Sequence, residues 1–146
     1  IIIDDFQYLM ANEFMLRATE RGYDKFSEIA QHTHTILKKC CSIRNDIDVF
    51  ILSHSELGDS GKMKMKTIGK VLDGKVTLEG MATIVLHCIL IDEKYKFLTQ
   101  MDANHIAKSP HGMFSERYID NDLQYVKTSM AKYYTGDSKH EIHAQN

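Results

Sequence analysis

The chain has 146 residues, of which 43% are hydrophobic and 26% are charged, as in an ordinary soluble globular domain. Its formal net charge of −2 excludes a global basic field for nucleic acid, so any such binding requires a local patch. Its 3 cysteines, two of them adjacent, form neither a disulfide framework nor the paired spacing of a zinc site, which favours a reducing cytoplasm. No apolar run reaches the ~18–20 residues of a membrane span.

The chain opens on three isoleucines followed by two aspartates. Residues 1–3 are uniformly apolar and β-branched, which is typical of a strand buried on both faces in a parallel sheet. Because a natural chain begins with Met, we expect the sequence to enter a fold at an inner strand. The alternative is a processed N-terminus.

Two helices and a second apolar strand follow this opening. The sequence predicts a short helix from Phe6 that Gly22 closes, and a longer helix with Asp24 as its N-cap. Apolar residues at three- and four-residue spacing give the longer helix one buried face. Residues 48–54 form the second strand, and the order strand, helix, strand predicts a right-handed unit with parallel strands.

A polar segment over residues 56–69 is rich in glycine and lysine and predicts a long loop. Lys62, Lys64 and Lys66 alternate with methionine, so their amines would lie on one side of an extended segment. Such a stripe could follow a nucleic-acid backbone or reach the phosphates of a nucleotide. The alternative is an ordinary solvated loop.

The remainder of the chain predicts a different kind of sheet. After an Asp73-Gly74 turn signal, apolar strands over 83–91 and 95–101 are separated by a short turn and predict an antiparallel hairpin. A helix over 120–134 and a polar tail over 136–146 complete the chain.

Polar residues follow both strands of the predicted parallel pair. Asp4 and Asp5 end the first strand, and Ser53 and His54 end the second. Since the carboxyl ends of neighbouring parallel strands meet at a ligand-binding crevice, Asp4 and His54 are expected to face it together. One acid there can hold Mg²⁺, and a second can orient an attacking water. The alternative is a solvated strand end beside a surface histidine.

Four segments, taken in chain order, carry a family resemblance. They are residues 1–7 (IIIDDFQ), 50–54 (FILSH), 64–70 (KMKTIGK) and 107–114 (AKSPHGMF). Together with the last helix they span nearly the whole chain. They resemble the phage-type nucleotide-binding proteins of the RecA-like P-loop ATPase class, which are relatives of phage single-strand annealing ATPases.

The resemblance implies an α/β fold: a partial RecA-like P-loop NTPase core over residues 1–135, with a mostly parallel sheet and an antiparallel hairpin in the second half. It implies binding and hydrolysis of ATP with Mg²⁺, coupled to DNA recombination or single-strand annealing in a phage or prophage. The implied partners are single-stranded DNA and further copies of the chain in the bacterial cytoplasm, without a membrane.

The resemblance also implies roles for individual residues. Asp4 corresponds to the Walker B acid that coordinates Mg²⁺, and Asp5 stands beside the attacking water. His54 occupies a sensor position, so Asp5 and His54 are the implied catalytic residues. The implied nucleotide-contacting cations are Lys66, Lys70 and Lys108. Of these, Lys108 stands where hexameric relatives place an arginine.

One departure from the family pattern limits the expected activity. No G-x-x-x-x-G-K-[ST] segment occurs in the 146 residues, and Gly58 to Lys62 is too short and follows the acids instead of preceding them. Without that loop the phosphates lack their principal anchor, so the chain alone should hydrolyse ATP no faster than background. The alternatives are a non-catalytic nucleotide-binding or assembly module with vestigial acids, and an unrelated small α/β binding domain.

Overall fold

The structure is a computed structural model that describes residues 1–44, 46–69, 72 and 76–136. The chain divides into two compact units, Ile1–Ala82 and Thr83–Asn146. Lys70, the Asp73-Gly74 turn signal and the predicted tail beyond Gly136 lie outside the described residues.

The first unit begins with a small parallel sheet. Its described elements are β1 (Ile2–Ile3), α1 (Gln7–Leu16), α2 (Asp24–Cys41), β2 (Phe50–Ile51), β3 (Ser55–Leu57), β4 (Met63–Met65) and α3 (Leu78–Met81). β1 and β2 pair in parallel, with Ile2 opposite Phe50 and Ile3 opposite Ile51. The predicted parallel pairing of these two segments across an intervening helix is therefore confirmed.

The long helix α2 has the amphipathic pattern that its sequence predicts. It begins at Asp24, but its N-cap is Tyr23, one residue earlier than expected. Its buried apolar face packs on α1 and forms the core of the first unit. The buried apolar residues of this core are Phe6, Met10, Ile29, Ala30, Leu37, Leu72 and Leu78.

The short helix α1 ends earlier than predicted. Its last residue is Leu16, its C-cap is Arg17, and a turn follows before Gly22, which has a φ of 95°. Gly22 therefore does not close α1. The buried amine of Lys25 instead reaches the carbonyl oxygens beyond the end of this helix.

The segment predicted as a long loop contains an antiparallel hairpin. β3 and β4 pair with Glu56 opposite Lys64, and the Gly58 N–H donates to the Lys62 carbonyl at 2.8 Å to close the turn. The alternation of methionine and lysine explains why this segment forms a strand and not a loop. One face of β4 carries Met65, which packs against the core, and the other face carries Lys64.

The second unit contains a three-stranded antiparallel sheet. Its described elements are β5 (His87–Ile91), β6 (Lys94–Leu98), β7 (Tyr118–Asp120) and α4 (Leu123–Thr135). The predicted hairpin of β5 and β6 is confirmed, and Asp92 and Glu93 at its turn have φ values of 46° and 62°. Positive φ at both central residues is the backbone that a tight hairpin turn requires. β7 adds a third strand that the sequence did not predict.

The predicted mostly parallel, RecA-like sheet is wrong. In the described part of the chain the strands form one parallel pair, one antiparallel pair and one antiparallel sheet of three. The first strand is also not buried on both faces, since Ile1 is 59% and Ile2 62% exposed. Its partner among the described strands is β2 alone, and a sheet of two short strands has no interior position.

Candidate functional site

The ends of β1 and β2 bring together two residues that the sequence placed at one site. The imidazole Nε2 of His54 lies 3.2 Å from Asp5 Oδ1. Both side chains remain accessible, with 65% of His54 and 51% of Asp5 exposed. The parallel pairing of β1 with β2 produces this contact, because it sets both carboxyl ends at the same edge.

The backbone of Asp5 adopts an uncommon conformation at this edge. Its φ is 52°, in the left-handed region that non-glycine residues seldom adopt and that aspartate tolerates better than most. The Asp5 N–H donates to Asp4 Oδ1 at 3.0 Å, and the next N–H, of Phe6, donates to the Leu52 carbonyl at 2.9 Å. These bonds turn the chain sharply after β1, so that two adjacent carboxylates are exposed.

A buried glutamine that the sequence did not indicate connects the two strand ends. Gln7 is 5% exposed; its Nε2 donates to Asp5 Oδ1 at 3.2 Å. Its Oε1 accepts from the Ser53 hydroxyl at 2.9 Å and from the His54 N–H at 3.1 Å. The available sequence signal was a polar residue directly after an apolar position at the start of a helix.

Lys66 is brought beside the same edge by the β3–β4 hairpin. Its N–H donates to the His54 carbonyl at 2.9 Å, which continues the hairpin register by one pair beyond Ser55 and Met65. Directly opposed residues of an antiparallel pair project from the same face, so His54 and Lys66 share a face. Lys66 is exposed.

The other predicted cations are placed differently. Lys64 is half-buried, and its Nζ lies 3.7 Å from the Glu56 carboxylate, so part of its charge is compensated. Lys108 lies in the second unit, where its backbone forms a bridge with Val85 through two 2.8 Å hydrogen bonds. Lys70 is outside the described residues.

Asp4 and Asp5 are the acidic residues at this edge that could take part in holding a metal ion. Within residues 1–44, 46–69, 72 and 76–136 there is no group of three or more His, Cys, Asp or Glu side chains that could hold a metal ion. Mg²⁺ commonly keeps several waters and binds through one or two carboxylates together with substrate phosphates. Asp4 and Asp5 are two neighbouring exposed carboxylates that could contribute oxygen ligands to such an ion.

A second polar cluster lies in the second unit. Asp102 Oδ1 accepts from the N–H groups of Asn104 at 2.8 Å and His105 at 2.7 Å, and it lies 3.0 Å from His105 Nδ1. The rings of His105 and His87 are 4.6 Å apart. Burial, followed by the neighbouring His105, lowers the pKa of His87. The cluster closes the loop after β6.

We expect this cluster to make the folded state sensitive to acid. The hydrogen bond from His105 is the first cause that lowers the pKa of Asp102 to about 2, from an ordinary value of 3.8. A carboxylate with a lowered pKa stabilises the fold above its unfolded pKa and loses that contribution as pH falls from 3.8 towards 2. Asp102→Asn keeps an acceptor oxygen but should flatten the dependence of unfolding free energy on pH in this window.

Urea unfolding at a series of pH values measures this dependence. The matched control is Asp92→Asn, a change at the exposed β5–β6 turn where asparagine also tolerates positive φ. The control should follow the unmodified protein. An Asp102→Asn protein with an unchanged slope would contradict the assignment.

In the described residues, no helix combines the length and apolar character needed to span a bilayer.

Comparisons with known proteins place no constraint on the geometry of the candidate site. The chain matches no protein-family model, no curated protein and no solved structure.

Proposed function

We propose that this chain binds a nucleotide with Mg²⁺ at the carboxyl ends of β1 and β2, and that the nucleotide is ATP. The observation that carries the proposal is the 3.2 Å contact of His54 Nε2 with Asp5 Oδ1, next to a second exposed carboxylate on Asp4. Acids and a hydrogen-bonding side chain at the ends of neighbouring parallel strands are typical of phosphate chemistry in α/β proteins.

Each residue has a distinct role in this proposal. Asp4 and Asp5 would hold Mg²⁺ through carboxylate oxygens, the donor type that this ion prefers. His54 offers a ring nitrogen to a phosphate oxygen, and its present partner Asp5 keeps the ring at the edge. Lys66, which shares the face of His54, adds a cation near the phosphates. When bound, Mg²⁺ would supply charge neutralisation between the phosphates.

The proposal is binding, not efficient hydrolysis by this chain alone. The 146 residues contain no glycine-rich phosphate cradle with its lysine, and that element supplies much of the catalysis in ATPases. A non-catalytic nucleotide-binding module is therefore the second candidate function. Coupling of ATP use to DNA recombination or single-strand annealing stays a prediction from the sequence resemblance.

Titration calorimetry with ATP tests the binding proposal, with and without Mg²⁺. We expect binding that requires Mg²⁺, and we expect Asp4→Asn and Asp5→Asn each to weaken it about 10–100-fold, the effect of losing one charge-assisted interaction. The matched control is Asp59→Asn, which neutralises an exposed acid in the β3–β4 turn of the same unit. Equal losses in the control, or binding that ignores Mg²⁺, would refute the proposal.

A further inference from the structure

Among the described residues, Gln7 is the one buried polar side chain that forms hydrogen bonds to the ends of both β1 and β2. It is 5% exposed and lies at the first position of α1, two residues after Asp5. Its amide forms three hydrogen bonds, to Asp5, Ser53 and His54, that cross from the end of β1 to the end of β2. A fully engaged amide of this kind orders the groups around it, because each bond constrains a different partner.

The geometry of these bonds determines which oxygen of Asp5 stays available. Gln7 Nε2 and His54 Nε2 both lie 3.2 Å from the same carboxylate oxygen, Oδ1. The contacts formed by the described residues therefore leave Oδ2 for a ligand. The Gln7 oxygen also fixes the backbone of His54 through its N–H, so one side chain holds the acid and the histidine in a single arrangement.

Glutamine is suited to this position because it both donates and accepts. Its NH₂ group satisfies the Asp5 carboxylate, and its carbonyl oxygen satisfies two donors on the neighbouring strand. A carboxylate in its place would oppose Asp5 with a like charge. An apolar side chain of equal length would leave the Ser53 hydroxyl and the His54 N–H without this acceptor.

We propose that Gln7 is a positioning residue that holds Asp5 against His54 and so sets the affinity of the site for a magnesium-bound nucleotide. This inference rests on the proposed function. It extends that function to a residue that need not touch the ligand, since Gln7 acts through Asp5.

The test compares Gln7→Met in two backgrounds by calorimetry with ATP and Mg²⁺. Methionine keeps the length of the side chain and removes all three hydrogen bonds. In the unmodified background we expect affinity to fall about tenfold, because two of the three lost bonds hold Asp5 and His54 in place. In the Asp5→Gly background we expect a change of less than about twofold, because glycine tolerates the positive φ of this position and has no side-chain oxygen for Gln7 to position.

Two more variants separate the positioning role of Gln7 from general effects on folding. Ser53→Ala removes one bond to Gln7 and leaves Asp5 and His54 in place, so it should weaken binding about two- to threefold. Gln31→Met makes the same chemical change at an exposed position of α2 and should leave affinity unchanged. Equal losses of affinity for Gln7→Met in both backgrounds, or no loss in either, would overturn the proposal.

Hydrogen exchange at the His54 amide separates failure of this inference from failure of the proposed function. Gln7 Oε1 accepts that N–H at 3.1 Å, so exchange should accelerate at least tenfold in Gln7→Met and stay unchanged in Gln31→Met. If the unmodified protein does not bind ATP with Mg²⁺ but exchange responds as expected, the nucleotide function is wrong, while Gln7 still holds the two strand ends together. Unchanged exchange at the His54 amide would overturn the positioning role of Gln7.

Discussion

Replacing Phe6 with alanine should lower the free energy of unfolding by about 3–5 kcal/mol, the usual loss for a buried phenylalanine. Phe6 is 0% exposed and belongs to the core in which α1 packs against α2. Truncation removes its contacts and leaves a cavity that the neighbouring Met10 and Ile29 fill only in part. The substitution should also disturb the candidate site, because Phe6 lies between Asp5 and Gln7 in sequence. Its N–H donates a hydrogen bond to the Leu52 carbonyl next to that site.

Urea unfolding followed by far-ultraviolet circular dichroism measures this loss. The matched control is Tyr23→Ala, which removes an aromatic ring that is 86% exposed in the same unit. We expect the control to change stability by less than about 0.5 kcal/mol. A Phe6→Ala protein as stable as the control would mean that the core does not form around this ring.

Elements with a strong local pattern were predictable from the sequence. The buried face of α2 follows from apolar residues at helical spacing, and the β5–β6 hairpin follows from two apolar runs with a short turn between them. The β3–β4 hairpin was missed because its glycines and lysines look like loop composition. Its pairing depends on Met65 reaching the core and on Glu56 facing Lys64, which local composition does not reveal.

The arrangement of sheets was the largest error. A run of three isoleucines predicts a buried inner strand, but burial depends on how many strands and helices cover it. In the described residues β1 has β2 as its strand partner, and Ile2 is 62% exposed. Hydrophobic pattern alone does not determine that number of neighbours.

The candidate site was predictable only in part. Asp5 and His54 each follow an apolar strand, so parallel pairing alone sets them at one edge. Gln7 gave no comparable signal. Its role depends on a side-chain amide that is 5% exposed and that bonds to Ser53, 46 residues away in sequence, and such a contact exists only in the folded chain.

The end of α1 depends on a second buried polar residue, Lys25. It is 8% exposed, and its Nζ donates to the carbonyl oxygens of Arg17 at 3.2 Å and Glu20 at 2.9 Å. The same amine lies 5.2 Å from the ring centroid of Phe14 and 5.5 Å from that of Phe26. A cation that satisfies carbonyls beyond a helix end and faces two aromatic rings joins α1 to α2.

Lys25→Met should therefore lower the free energy of unfolding by about 2–3 kcal/mol. Methionine keeps the apolar stem against the rings, so the loss comes from hydrogen bonds to a charged donor and from its attraction to two aromatic faces. The freed carbonyl oxygens must also find water or remain unsatisfied. Urea unfolding gives the stability change, and hydrogen exchange of the α1 amides should show fraying that begins at Leu16.

The matched control for this prediction is Lys38→Met, the same substitution at an exposed lysine of α2. It should change stability by less than about 0.5 kcal/mol, since an exposed lysine contributes little. If Lys25→Met were as stable as Lys38→Met, desolvation of the buried amine would cancel its hydrogen bonds, and packing of Phe14 on Phe26 would hold the helices together. A loss confined to Lys25→Met, with faster exchange at the end of α1, would establish the amine as the cap.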